Sequence, residues 1–477
     1  MSIPVIITDG ENNLAFTDGQ LPVYLGNVTL TGNGEIPVSA NLDGATINAT
    51  FPETVNAAIT NNITVNDVIS TVNVTVLNNN DIRPAQDSGA FDAFERLRVS
   101  ELITLFQSTL TSDNGSQFWD ELETGTANGT TSTWSQNGAS VALTVNASVN
   151  TTRVRQTFER FPYQAGKSQQ ILMSFVPGST INGVTKEIGY GDESDGLFFQ
   201  TVNDGVGFCR RTTANGTTVD NFVAQADWNI DTLNGVGASG YTLEVTKSQI
   251  LVIDFEWLGV GRCRLGFIID GKVVYCHAFN NANNLSTVYM RSPVLPLRCK
   301  VSGNGTQASA STITVFCSAV STEGAQEIVG RPRSVSTGTP DITPTANWTI
   351  LKAVRISTTG KSVHIRDIEA DVVCTDLAAT AEYCLMLQPT VAGGSLTWAA
   401  VAGSQMEQAT GNAALYASAG TVLHTGYVGG RSTDGLTSGS RVSLGFTING
   451  TQRVLALCAR IVAGTPDLCA AINWIEV

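Results

Sequence analysis

From about residue 90 onward, apolar and polar residues alternate at period two in short runs broken by Gly, Asn and Asp. "RVRQTFERF", "QQILMSFV", "EIGYGDESDGLFFQT" and "GVGFCRR" are such runs, and this alternation marks strands with one buried face. The strongest is "QILVIDFEWLGVGRCRLGFIIDGKVVYCHAF". Here residues 250–258 read as a strand, 259–261 as a bend, and Asp270 with Gly271 as a type I′ hairpin turn. Parity sends Phe255 and Trp257 to the core and turns Asp254 and Glu256 outward. At least eight strands fit before residue 320, which predicts a sandwich of jelly-roll or lectin-like kind.

Residues 330–345, rich in Pro, Thr and Ser, lack this periodicity and read as a linker or strand-crossing loop. Beyond them "ILKAVRIS", "VHIRDIEADVVC", "EYCLMLQPTV", "TVLHTGYV", "RVSLGFTI" and "RVLALCARIV" alternate again, and "DLCAAINWIEV" reads as an inner strand. Residues 346–477 are therefore expected to form a second sandwich, and the Gly-rich stretches "TVAGGSLTWAAVAGS" and "GYVGGRSTDGLTSGS" its exposed loops.

The first 84 residues differ. Segment 43–76 is apolar every second or third residue, almost free of charge, and poor in large side chains; Phe16, Tyr24 and Phe51 are the aromatics before residue 85. At roughly 25 cal/mol per Å² of buried apolar surface, a single copy could hardly offset its ordering entropy. Three copies wound together could, so residues 1–84 are expected to form a trimeric β stalk, the alternative being a flexible polar linker. The density of apolar and aromatic residues rises at "DSGAFDAFERLRVSELITLFQS", so the first sandwich is expected to span 85–329. The fold class expected is all-β: an N-terminal extended β stalk followed by two β-sandwich domains.

Composition agrees, with 14% charged residues, 46 Gly and abundant Thr, Ser and Asn, the usage of strands and turns. A formal net charge of -14 and the absence of basic runs argue against a nucleic-acid partner. The opening "MSIPVIITDGENNLAF" does not read as a signal peptide, and no stretch reaches the roughly 18 apolar residues of a membrane span. No membrane insertion is expected, and synthesis is expected in the cytosol. Nine cysteines, an odd number without C-x-x-C pairs, point to free buried thiols. The turn at Asp270 and Gly271 sets Leu265, not Cys263, opposite Cys276. Asn27 and Asn304 open N-x-S/T sequons, which Asn- and Thr-rich chains contain by chance.

Candidate chemistry is sparse. His277, His364 and His424 each stand alone in a strand pattern, away from metal-ligand spacing. Asp192, Glu193 and Asp195 offer oxygens to a Ca²⁺ ion, but their spacing departs from an EF-hand loop, and a solvated hairpin turn is the stronger reading. Asp254 and Glu256 lie on one strand face at about 7 Å, a separation compatible with glycosidase acid and base roles. Arg262 and Arg264 in the next strand are placed to neutralise them. Trp398, Tyr416 and Tyr427 are candidates for stacking on sugars or for the core. No catalytic, cofactor-binding or metal-binding residue is assigned, and no cofactor is expected.

"DAFERLRVSELITLF", "KSQQILMSF", "DGLFFQ", "WNIDTLNGVGASGYTLEVTKSQILVIDFEWLGVGRCRLGFIIDGKVVYCHAFNN" and "STVYMRSPVLPLR" together resemble a family of virion structural proteins of tailed bacteriophages, frequent in cyanophages. The likeness covers roughly residues 90–325, with Glu95 where the family often has Gly, at a local turn. It implies a virion component, and with the sparse candidate chemistry no enzymatic activity is expected. The expected protein is a homotrimeric tail fibre that reaches a host surface glycan and joins other virion proteins through its N-terminal segment. A head fibre or capsid decoration protein that stabilises the shell or displays a glycan-binding surface is the alternative, and a polysaccharide depolymerase a third reading.

Overall fold

The computed structural model describes residues 87–477, apart from 325–329, 340, 361, 431 and 438–443. The stalk, its trimeric winding and its anchoring role fall on residues 1–84, outside the described residues. The regular structure of the described residues is all strand apart from one 3₁₀ turn at Gln225–Asp227.

Residues 102–323 build two facing sheets. The first runs β13 (Lys272–Phe279), β12 (Cys263–Ile269), β11 (Gln249–Phe255), β6 (Gln169–Val176), β15 (Ser311–Glu323), β4 (Ser140–Val145), β3 (Thr130–Ser135), with β1 (Leu102–Thr109) also on β15. The second runs β10 (Val219–Ala224), β9 (Gly205–Thr212), β8 (Gly196–Val202), β7 (Val184–Gly191), β14 (Leu297–Asn304), β5 (Asn150–Thr157), β2 (Trp119–Gly125). One apolar core lies between them, with Phe175, Phe199, Phe208, Phe255 and Phe267 at its centre. In β6 every second residue is buried, as the pattern of "QQILMSFV" requires.

Asp270 and Gly271 both have positive φ, 50° and 75°, and join β12 to β13 with Ile269 opposite Lys272, the geometry of a type I′ turn. The register differs from the expected one further along. Cys276 bulges out of the ladder, so Leu265 faces His277 rather than Cys276, while Cys263 faces Phe279. A second bulge lies in β15 between Val315 and Ser318. It flips the side-chain parity and leaves Cys317 exposed, so not every thiol is buried; Cys469 is half-buried as well.

A hook precedes β1. Asp92 Oδ1 accepts the amides of Phe94 at 2.9 Å and Arg96 at 2.8 Å, and a bridge pairs Phe91 with Leu97. Glu95 sits at the bend with φ +61°, in the left-handed region that favours glycine. The hook lies on the first sheet: Gly89 abuts Val273 of β13, and Arg264 of β12 donates to the carbonyl of Phe91 at 2.6 Å.

The segment read as a linker, 330–345, is instead part of the second sandwich. Arg331–Ser336 forms strand β16 and Ile342 bridges Leu468, because main-chain pairing with the last strand needs no apolar alternation from an edge strand. One sheet runs β16, β25 (Leu468–Glu476), β18 (Ile365–Cys374), β23 (Thr433–Thr437), so the closing strand is an inner one. The other runs β20 (Ala399–Ala400), β21 (Met406–Thr410), β17 (Trp348–Ile356), β22 (Tyr416–Gly429), β19 (Thr380–Ala392), β24 (Val454–Ala463). Since β17 also pairs with β24, strands β17, β22, β19 and β24 close into a ring. Within "RVSLGFTI", residues 444–448 are not a strand: Phe446 makes one bridge, to Gln452. The amide of Ile448 instead donates to Asp120 of β2 at 2.7 Å. Part of the expected loop "GYVGGRSTDGLTSGS" is strand β23.

Candidate functional site

The acid pair proves to be a buried structural cluster. Asp254 and Glu256 turn away from the core, as parity requires, but both are fully buried, not outward in water, because the hook covers them. Asp254 Oδ2 receives Arg98 at 2.7 Å, Arg264 at 2.5 Å and the Tyr275 hydroxyl at 2.9 Å, and Oδ1 receives Ser168 at 2.5 Å. Arg264 stands directly opposite Asp254 in the ladder and neutralises it as the sequence suggested. Arg262 does not reach Glu256; it pairs with Asp87 at 2.8 Å and Glu95 at 3.2 Å. The cation on Glu256 is Arg96. Two "DAFERLR" arginines thus close over the pair, and a substrate has no route between the carboxylates. Sequence reasoning missed Arg96 and Arg98 because their partners lie some 160 residues away; the excess of Arg over Lys in the hook was the one available signal.

On the opposite sheet Glu187 of β7 is a second buried carboxylate, with Arg211 at 2.8 Å, Arg298 at 3.3 Å and Lys300 at 3.6 Å. Burial alone would raise its pKa, but the three cations outweigh that and hold it at about 2. Asp192, Glu193 and Asp195 lie in the β7 to β8 turn, each with its own partner. Arg160 binds Asp192 at 2.6 Å, Arg298 binds Glu193, and Asp195 accepts the Thr213 hydroxyl at 2.8 Å. The carboxylates are spread over separate donors, and among the described residues no group of three His, Cys, Asp or Glu is placed to hold a metal ion.

The histidines are not brought together. His277 is buried in β13, accepts the Asn229 amide at 3.4 Å, and has its pKa pushed down to about 4 by burial and by Arg210. His364 pairs by its backbone with Val477 at the head of β18, and His424 is exposed on β22.

The expected sugar-stacking residues meet a different environment, the outer face of the ring-closed sheet. By alternation Glu382 shares a face with Cys384 and Met386, Arg460 with Cys458 and Ala456, and Arg355 with Ala353. Those apolar partners form a small second core outside the main one, against which Trp348 and Trp398 pack from its edges. Each Trp carries an arginine flat on its ring. Arg460 lies 4.4 Å from the Trp348 centroid and binds Glu382 at 2.6 Å. Arg355 lies 4.1 Å from the Trp398 centroid and binds Glu407 at 2.7 Å. Tyr427, opposite Glu382 in the ladder, donates to it at 3.3 Å and is 61% exposed. Tyr416 opens β22 half-buried, paired with Ala392 and Thr349. The face thus offers two pinned carboxylates, two guanidinium planes and an exposed phenol ring.

No family model and no curated protein matches the sequence. Solved structures with a similar β-sandwich include the carbohydrate recognition domain of Emp47p, at 12% identity, covering 47% of this chain and 98% of that one with a TM-score of 0.30. A β-glucanase of Bacillus licheniformis is 9% identical over 46% of this chain and 98% of its own, with a TM-score of 0.29. The CBM2 module of the evolved Dit of Lactobacillus casei BL23 phage J-1 is 9% identical over 48% and 99%, with a TM-score of 0.30. Among the described residues no helix is long and apolar enough to cross a membrane.

Proposed function

We propose that this chain is a virion structural protein of a tailed phage that binds host-surface glycan through the outer face of its ring-closed sheet, without catalysis. The resemblance of residues 90–325 supplies the virion setting. The observation that carries glycan binding is the row Tyr427, Glu382, Arg460 and Trp348, which crosses four strands on one face. A sugar ring presents an apolar face to an aromatic ring and hydroxyls to flanking carboxylates and guanidinium groups. Arg460 is already held by Glu382 and Trp348, so the row needs little ordering when a ligand arrives. A tail fibre is the first reading, and a head fibre or capsid decoration protein that displays the same glycan-binding row is the alternative. A depolymerase is disfavoured because the two carboxylates that motivated it are sealed by Arg96, Arg98 and Arg264.

The test is calorimetric titration of the purified chain with envelope polysaccharide of the host, beside Tyr427→Ala. Binding by the native chain that weakens at least about tenfold in the variant is expected, the loss of one aromatic platform. Equal binding by both proteins removes the row from the reading. No binding by the native chain, together with its absence from mass spectra of purified virions, overturns the reading as a whole.

A further inference from the structure

The hook carries a second arrangement that the clasp on Asp254 does not explain. Arg96 presents Nε to Asp92 Oδ2 at 2.5 Å and Nη2 to Glu256 Oε1. Two buried carboxyl groups therefore share one guanidinium fork. Arg96 occupies one oxygen of Glu256; the other, Oε2, is buried with no donor reaching it. Two ionised carboxylates gathered on one cation repel, and an orphan buried acceptor costs its full desolvation. One proton shared by the pair removes both penalties, since it cancels one of the two charges and leaves no bare buried carboxylate oxygen on Glu256.

We propose that Asp92 and Glu256 share a proton and that residues 87–98 form a pH-gated clasp, closed while the proton is held and loosened when it is lost. The groups around Glu256 fit this. From the hook come Asp92, Arg96 and Glu95, the last turned to Arg262. From the segment after β5 comes Tyr163, whose hydroxyl accepts the amide of Trp257 at 3.0 Å and stays neutral, its pKa raised by burial. Arg262 and Arg264 of the β12 side are engaged by Asp87 and Asp254, and Glu323 of β15 by Arg98. Arg96 is thus the one cation bonded to both carboxyl groups, too little charge for two ionised acids.

Burial and the Asp92 charge together push Glu256 up to about 7 against the pull of Arg96. Burial also works against ionised Asp92, but the backbone amide and guanidinium of Arg96 hold it below the ordinary value. A group whose folded pKa is raised favours the closed state fully below its unfolded value, 4.5, and loses that contribution as pH rises through about 7. Opening would free residues 87–98 as extra tether between the first sandwich and the chain that precedes it.

Hydrogen exchange of the hook amides on the full chain, corrected for intrinsic rates, tests this between about pH 6 and about pH 8.5. The wild type is expected to open at least about tenfold more often at the upper pH. E256Q keeps the shape and supplies a permanent N–H donor, so it should stay closed at both values. Opening that does not change with pH in the wild type overturns the proposal, as does an unchanged pH dependence in E256Q. Should E256Q fail to fold, the ¹³C carboxyl titration of wild-type Glu256 decides: a midpoint near 7 supports the shared proton, and one at or below the ordinary carboxylate value sinks it.

Discussion

The hook cluster of the first sandwich and the outer face of the ring-closed sheet use the same chemistry, arginine against carboxylate beside an aromatic ring, to opposite ends. In the first, Arg264 lies 4.0 Å over Tyr275 and both it and Asp254 are fully buried. In the second, Arg460 lies over Trp348 with its side chain 43% exposed, and Tyr427 is open to solvent. Burial makes the first set obligatory, because an ion taken from water and left without its counter-ion is strongly destabilising. Exposure makes the second nearly neutral for stability and leaves it accessible to a ligand. The lesson is that a carboxylate pair or an arginine on a strand says little until its cover is known.

The largest expected effect breaks the first set. Asp254→Ala leaves Arg98 and Arg264 without their shared counter-ion and should cost about 3–5 kcal/mol of stability, read by urea denaturation. Next is acid. His277 is held neutral with a folded pKa of about 4, below its ordinary 6.5, so its contribution is present above 6.5 and lost as pH falls toward 4. The loss should reach about 2–3 kcal/mol, and His277→Gln should flatten that part of a stability profile against pH. Smallest is Glu382→Gln, which should change stability by less than about 1 kcal/mol, since its partners are half-exposed, while weakening glycan titration clearly. A large loss of stability there would move that face from recognition to support.

Some of this architecture was legible in local sequence. The period-two runs located β6, β11, β12 and β24, and "DG" placed a hairpin with both residues at positive φ. At Glu95 the sequence pointed to a local turn, and the structure gives it a positive φ of 61°. The bulges at Cys276 and after Val315 were not legible, because nothing in a strand's own residues announces an extra residue against its partner. The strand Arg331–Ser336 escaped for a related reason: Pro332 and two arginines are tolerated at an edge, where pairing through the main chain suffices.

What the sequence by itself determined is the strand class, the alternation that fills two cores, and the parity that sets Asp254 opposite Phe255. Those follow from bonds and side chains a few residues apart. Only the tertiary structure decided which outward positions meet water. Asp254 and Glu256 are sealed by a hook some 160 residues earlier in the chain, and Arg460 meets Trp348 because β17 closes a ring with β24. Such encounters depend on how distant segments stack, and the free energy of a charged or aromatic group depends on that cover more than on its neighbours in sequence.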